Sequence, residues 1–146
     1  MRFMLLLKGD PPSDPEDRAI PPGAPGELID AMLRYNEELA KAGVLLAAEG
    51  LHPTVTGARV VYSNGTRRVI DGPFAEAKEV IAGFYIIQVR SRDEAIEWAR
   101  RCPVDVAVTG DQEAVIEIRQ VAQLDELPAT EEQRAAGRRV RDQLAP

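Results

Sequence analysis

The stretch Val69–Val89, VIDGPFAEAKEVIAGFYIIQV, decides how the rest of the chain is read. Its right-hand part, VIAGFYIIQV, is apolar in both phases of a two-residue alternation, the pattern of a central strand covered on both faces. Gly83 inside it predicts close approach of another backbone. DGPF on its left is a turn, and Asp71, Glu76, Lys78 and Glu79 crowd between turn and strand. The segment ARVVYSNGTRRVID (Ala58–Asp71) leads into that turn. It places Asn64-Gly65 between two β-rich runs, which specifies a tight hairpin. A two-residue turn there pairs Ser63 with Thr66, Tyr62 with Arg67 and Val60 with Val69. Strand side chains alternate, so Val60, Tyr62, Val69 and Asp71 share one face of the ribbon. Asp71 ends an otherwise apolar face, where a carboxylate needs partners.

Outward from this stretch the elements alternate. FMLLLK (Phe3–Lys8) is a short apolar run, a strand buried on both faces. The segment at 9–26 is rich in Pro, Gly and Asp and reads as a loop. The run at 27–43 has helical period, with Leu28, Met32, Tyr35, Asn36, Leu39 and Gly43 on one face, and Gly43 is a plausible stop. VLLAAEGL follows as a strand. On the other side Ser91 and Glu94 form a capping box. The helix they open puts Ala95, Trp98, Ala99 and Cys102 on one face and stops before Pro103. Residues 113–121 give the last strand. After a turn and a Thr130 cap, the tail is a short polar helix that either packs on a partner chain or stands free. The order β-α-β, hairpin, β-α-β predicts an α+β, ferredoxin-like fold with a hairpin insertion, in a domain over 1–122, followed by a helical tail over 123–146. Its helices cover one face of the sheet. The first and central strands are apolar on both phases, so a second copy is expected to cover the other face, giving a homodimeric α/β barrel with a cavity between the sheets.

The composition sets limits. The chain has 146 residues, 45% hydrophobic and 29% charged, enough for one domain with a core. A net charge of -6 argues against nucleic acid as a partner. Cys102, the single cysteine, excludes an internal disulfide and fits a reducing, cytoplasmic location. MRFMLLLKGD is too short for a signal peptide or a membrane span. Asn64 matches a glycosylation acceptor, but the turn reading is preferred without a secretion signal. One His and one Cys build no zinc or haem site, so no metal and no cofactor are expected. A carboxylate-only site for Mg²⁺ or Ca²⁺ stays open.

The segment DGPFAEAKEVIAGFYIIQVRSRDEAIEWARRCP closely resembles the YCII-related proteins, specifically the DGPF-domain branch, and MRFMLLLKGD and AAEGLHP are similar to it too. The resemblance covers Met1 to Val121 and leaves out the tail. It implies a dimeric ferredoxin-like α/β barrel, in agreement with the strand order. The DGPF branch is largely uncharacterised. More distant relatives include small enzymes acting on muconolactone-like ring-cleavage products and a chlorinated-muconate dehalogenase, and some members are proposed to use a His-Asp pair. Here the single histidine, His52, lies in GLHP and not on the first helix, so that pair is not carried over. A transcription-related label has circulated for the family, and nothing in this acidic chain supports DNA contact.

The candidate site residues follow from charge beside an apolar strand. Asp71 is either a base at a cavity mouth or a turn-forming carboxylate that caps backbone N–H groups. Lys78 would hold a substrate carboxylate and Glu79 would move a proton, or both are solvated. Glu49 ends the LLAAE strand and would share the cavity with Asp71, two carboxylates allowing acid–base work, or it reaches water. Tyr35 and Tyr85 would stack on a ligand or are core residues with satisfied hydroxyls. His52 is expected to face solvent, and Asp10 closes over the cavity or starts a turn. Two functional readings stand. One is a cofactor-independent enzyme for proton transfer, isomerisation or elimination on a small carboxylated molecule, with catalytic Asp71, Glu49 and Glu79 and substrate-binding Lys78, Tyr85 and Tyr35. The other is a ligand-sensing or protein-interaction module in which the DGPF turn is architecture.

Overall fold

The computed structural model describes residues 1–10, 25–107 and 113–145. The chain runs β1 (Arg2–Lys8), α1 (Pro25–Lys41), β2 (Leu45–Gly50), β3 (Ala58–Ser63), β4 (Thr66–Asp71), β5 (Ile81–Gln88), α2 (Arg92–Arg101), β6 (Ile116–Gln120) and α3 (Glu131–Leu144). Most of the proline-rich segment at 9–26 lies outside the described residues. Four strands form one sheet in the order β2-β5-β1-β6, with every neighbouring pair antiparallel. This is the expected ferredoxin-like arrangement, and β3–β4 is the hairpin inserted between β2 and β5. β5 occupies the central place its two-sided apolarity predicts.

Alternation sorts the sheet into two faces. Phe3, Leu5, Tyr85 and Ile87 point toward α1 and α2, where they meet Tyr35, Leu39, Ala95, Trp98 and Ala99. Leu5, Leu39 and Ile87 are fully removed from water, each a contribution of about 1.5–3 kcal/mol. Cys102 joins this core, and burial, then the nearby Asp105, pushes its thiol up to about 12. The opposite face carries Met4, Leu6, Ala82, Phe84 and Ile86, all only half-buried.

Local signals fix the element ends. The Ser91 hydroxyl accepts from the Glu94 amide at 3.1 Å, and the Glu94 carboxylate reaches back to the Arg90 amide at 2.8 Å. Thr130 and Gln133 exchange side-chain bonds in a full capping box at the start of α3. The hairpin has the predicted register, with Ser63 opposite Thr66 and Val60 opposite Val69. Asn64 and Gly65 both take positive φ, at 51° and 76°. The hairpin's apolar face is open, with Val60 at 66%, Tyr62 at 66% and Val69 at 69% exposure. Among the described residues no helix is long and apolar enough to cross a membrane.

Candidate functional site

A cleft of about 280 Å³ opens between α1 and the β2–β5 side of the sheet. Its origin is a pair of glycines. Gly50 and Gly83 lie directly opposite one another across β2 and β5. Both are on the helix-facing side, in line with Ala48 and Tyr85, so the sheet presents no side chain there. Gly83 has no alternative: a Cβ would come within 2.7 Å of the Glu49 carbonyl oxygen. This is the close backbone approach that a glycine inside a strand predicts. Gly50 is different, because a Cβ there would meet nothing within 4 Å. Gly50 is therefore the residue whose small size keeps the hollow empty. Leu7 and Met32 supply apolar wall, and Ala82 and Phe84 border the hollow along β5 with their side chains on the opposite face.

The polar groups are few. The Tyr85 hydroxyl donates to Asn36 Oδ1 at 2.8 Å, which leaves the Asn36 amide hydrogens for another partner. Tyr35 stands edge-on to Tyr85 with ring centroids 5.4 Å apart. Its own hydroxyl donates to the Trp98 carbonyl at 2.8 Å. Burial raises both phenols above their ordinary range. Glu49 contributes to the wall from the edge strand. It is exposed and pairs with Phe84, so its side chain leaves the sheet on the side away from Tyr85. No Lys, Arg or His lines the cleft among the described residues.

The DGPF turn is held by other residues than expected. Asp71 pairs with Ala58 at the end of β4 and is exposed. It makes no hydrogen bond or ion pair among the described residues. The carboxylate that secures the turn is Asp10. Asp10 Oδ1 accepts from the Thr54 amide at 2.8 Å, and its other oxygen takes the Thr54 hydroxyl proton. Thr54 Oγ1 in turn accepts from the Phe74 amide at 3.1 Å. Gly72 donates its N–H to the Gly57 carbonyl at 2.9 Å. The Arg59 guanidinium lies 3.8 Å over the Phe74 ring. Lys78 and Glu79 sit on the short 3₁₀ turn Ala77–Glu79 before β5, both exposed. A hydrogen bond and like charge from Glu79 hold the Glu76 carboxyl above its usual range. His52 is exposed, as expected.

The structure thus brings Tyr85 to the cleft, sets Tyr35 behind it, and places Glu49 at the cleft's edge with its side chain on the opposite face. It leaves Asp71, Lys78 and Glu79 outside that lining. Asn36 belongs to the cleft and was read from sequence only as a member of a helix face. The available signal was an amide alone among Leu28, Met32, Tyr35 and Leu39. Among the described residues no group of three or more His, Cys, Asp or Glu side chains is placed to hold a metal ion.

A family model described as the YCII-related domain matches residues 1–125. An uncharacterised protein of Rhizobium meliloti (strain 1021) is 47% identical over 60 residues, a stretch covering 41% of this chain and 48% of that protein. The chain therefore spans about half the length of this curated relative. A solved structure of a 5-chloro-2-hydroxyhydroquinone dehydrochlorinase from Burkholderia phenoliruptrix AC1100, in complex with 2,5-dihydroxybenzoquinone, is 17% identical with a TM-score of 0.40, covering 86% of this chain and 98% of that one.

Proposed function

The chain belongs to the YCII-related family, and on that premise we propose that it binds one small, uncharged organic molecule in the cleft between α1 and the β2–β5 side of the sheet. The observation that carries this reading is the Gly50–Gly83 pair, which leaves a hollow with apolar walls and one polar fixture. Binding sites for small molecules have this character, mostly apolar with a few placed polar groups. The Asn36 amide is the donor, and the Tyr85 hydroxyl fixes its orientation. A ligand oxygen that accepts from Asn36 satisfies it. A carboxylated ligand suits the cleft poorly, because a carboxylate there would lose hydration with no cation lining the walls. Lys78, the residue expected to hold such a group, lies outside the lining.

An enzyme reading would give proton transfer to Glu49, the one carboxylate among the residues bordering the cleft, but its side chain leaves the sheet on the face opposite to Tyr85. The exposure of Glu49 and its direction away from Tyr85 favour a second reading, in which the cleft binds a ligand without turning it over. The same proposal takes the protein to be a homodimer paired through the half-buried face of Met4, Leu6, Ala82, Phe84 and Ile86. The acidic net charge and the single cysteine support a cytoplasmic protein without nucleic-acid contacts.

Ligand-observed NMR tests the cleft. A panel pairs uncharged phenols and cyclic ketones with their carboxylated counterparts. The uncharged members are expected to bind the native protein and to lose binding in Gly50→Val, whose side chain enters the hollow. Carboxylates that bind as tightly as their uncharged partners, or binding that survives Gly50→Val, would overturn the proposal. Conversion of a bound ligand would select the enzyme reading, and loss of that turnover with binding retained in Glu49→Gln would assign the base; binding without conversion would select the sensor.

A further inference from the structure

Two helices carry apolar stripes with matching spacing and no cover. On α1 the stripe is Ile29 and Leu33, 58% and 55% exposed and one turn apart. On α3 it is Val140 and Leu144, 55% and 78% exposed and again one turn apart. The α3 stripe begins against its own chain. Gly137 fits onto Leu124 so tightly that a Cβ would lie 2.3 Å from a Leu124 methyl carbon. Past Gly137 the stripe runs beyond its support. The flanking charges differ in balance: α1 turns Glu27, Asp30, Glu37 and Glu38 to solvent against Arg34 and Lys41, while the last turns of α3 expose Arg138, Arg139 and Arg141 against Asp142.

We propose that α3 crosses to a second copy of this chain and docks on the outer face of its α1, beside the mouth of its cleft. The proposal rests on the homodimer reading given above. When two four-stranded sheets in the order β2-β5-β1-β6 close into a barrel about a two-fold axis, β6 of each copy must lie beside β2 of the other. α3 follows β6 and α1 leads into β2, so this closure brings α3 to the partner's α1. Met32 and Asn36 of α1 line the cleft, and Ile29 and Leu33 lie a short way round the same helix. Each cleft would then gain a wall from the other copy. The contact involves few side chains and is too small to hold a dimer alone. Its role is to lock a sheet-paired dimer and narrow the cleft mouth. α3 also lies past the residues matched by the family model, so it is an addition of this chain to the shared domain.

Cross-linking in the full-length chain tests this. The double variant Leu33→Cys/Val140→Cys is oxidised and run on a non-reducing gel, with Leu33→Cys/Val60→Cys as control. The native Cys102 is 6% exposed and stays silent. The expected result is a covalent dimer that forms readily in the first variant and not in the control. A disulfide closed within one chain, or equal cross-linking in the control, overturns the crossing of α3. No cross-link in a particle that sediments as a dimer also overturns it and leaves the sheet-paired dimer standing. A monomer in sedimentation overturns the dimer and the crossing together.

Discussion

Thr54 links three parts of the molecule through one side chain and one amide: Asp10 at the end of β1, its own 3₁₀ turn, and Phe74 in the DGPF turn. Replacing it with valine keeps the volume and deletes the hydroxyl. Thr54→Val is expected to lower stability by about 1–3 kcal/mol, because it strands a Phe74 amide and part of the Asp10 carboxylate. Asp71→Asn, at the more conspicuous carboxylate, is expected to stay within about 0.5 kcal/mol. Urea denaturation of both variants checks the contrast. Glycine positions divide in the same way. A Cβ at Gly72 would sit 1.7 Å from the Thr54 carbonyl oxygen, so Gly72→Ala forces the backbone apart, whereas Gly50→Ala meets open space. Soluble yield and thermal midpoint are expected to collapse in the first and to hold in the second. Asp71 stood out in the sequence because it ends an apolar face. Asp10 reads as closing over the cavity or starting a turn, but its tie to the DGPF turn was not legible, because its partner is 44 positions away and no local pattern marks the pair. Gly83 was legible as a glycine inside a strand. Gly50 was not, since a glycine at a strand end reads as a stop.

Elements were the most legible level, for a physical reason: a hairpin register or a helix face is set by neighbours within a few positions. Asn64-Gly65 fixed every pair of β3 and β4, and a period of 3.6 gave the buried faces of α1 and α2. The ends moved slightly, with α1 beginning at Pro25 and β6 shortened to Ile116–Gln120. Ser91→Ala, which removes the acceptor for the Glu94 amide, is expected to cost about 1 kcal/mol. What periodicity does not reveal is whether an element has anything to lean on. The hairpin is fastened at its base and is exposed along both strands except at the half-buried Val61. A lone two-stranded ribbon is marginal in water. Its amides are therefore expected to exchange with solvent orders of magnitude faster than those of β1 and β5, which hydrogen-exchange mass spectrometry checks.

At the scale of the whole molecule, the buried acids Cys102, Tyr35 and Tyr85 gather in one core. Cys102 rises from 9.0 to about 12 in the fold, and burial raises both phenols too. Between these limits the unfolded chain gives up the thiol proton and the folded one keeps it. Stability is thus fully present below pH 9.0 and falls as the pH rises toward about 12, by up to about 1.4 kcal/mol per pH unit for the thiol. Thermal midpoints measured from pH 8 upward are expected to decline, and a flat profile would show these groups to be solvated. The proposed homodimer is tested by Leu6→Glu, in the middle of the half-buried face, which is expected to sediment as a monomer where the native chain sediments as a dimer. The strand order was legible because the succession of elements admits few topologies, and the two-faced sheet because its first and central strands are apolar in both phases. The cleft was not, since it arises where two distant glycines meet under a helix. The neck beneath the hairpin has one more consequence. Thr54 and Phe74 are bonded to one another, and Gly57 to Gly72, so the chain leaves the sheet and returns to it through one narrow neck. The hairpin above the neck, from Ala58 to Asp71, can be lengthened, shortened or exchanged without reaching the core. The neck is thus a natural splice point, at which relatives can diverge in what they display while inheriting the same scaffold.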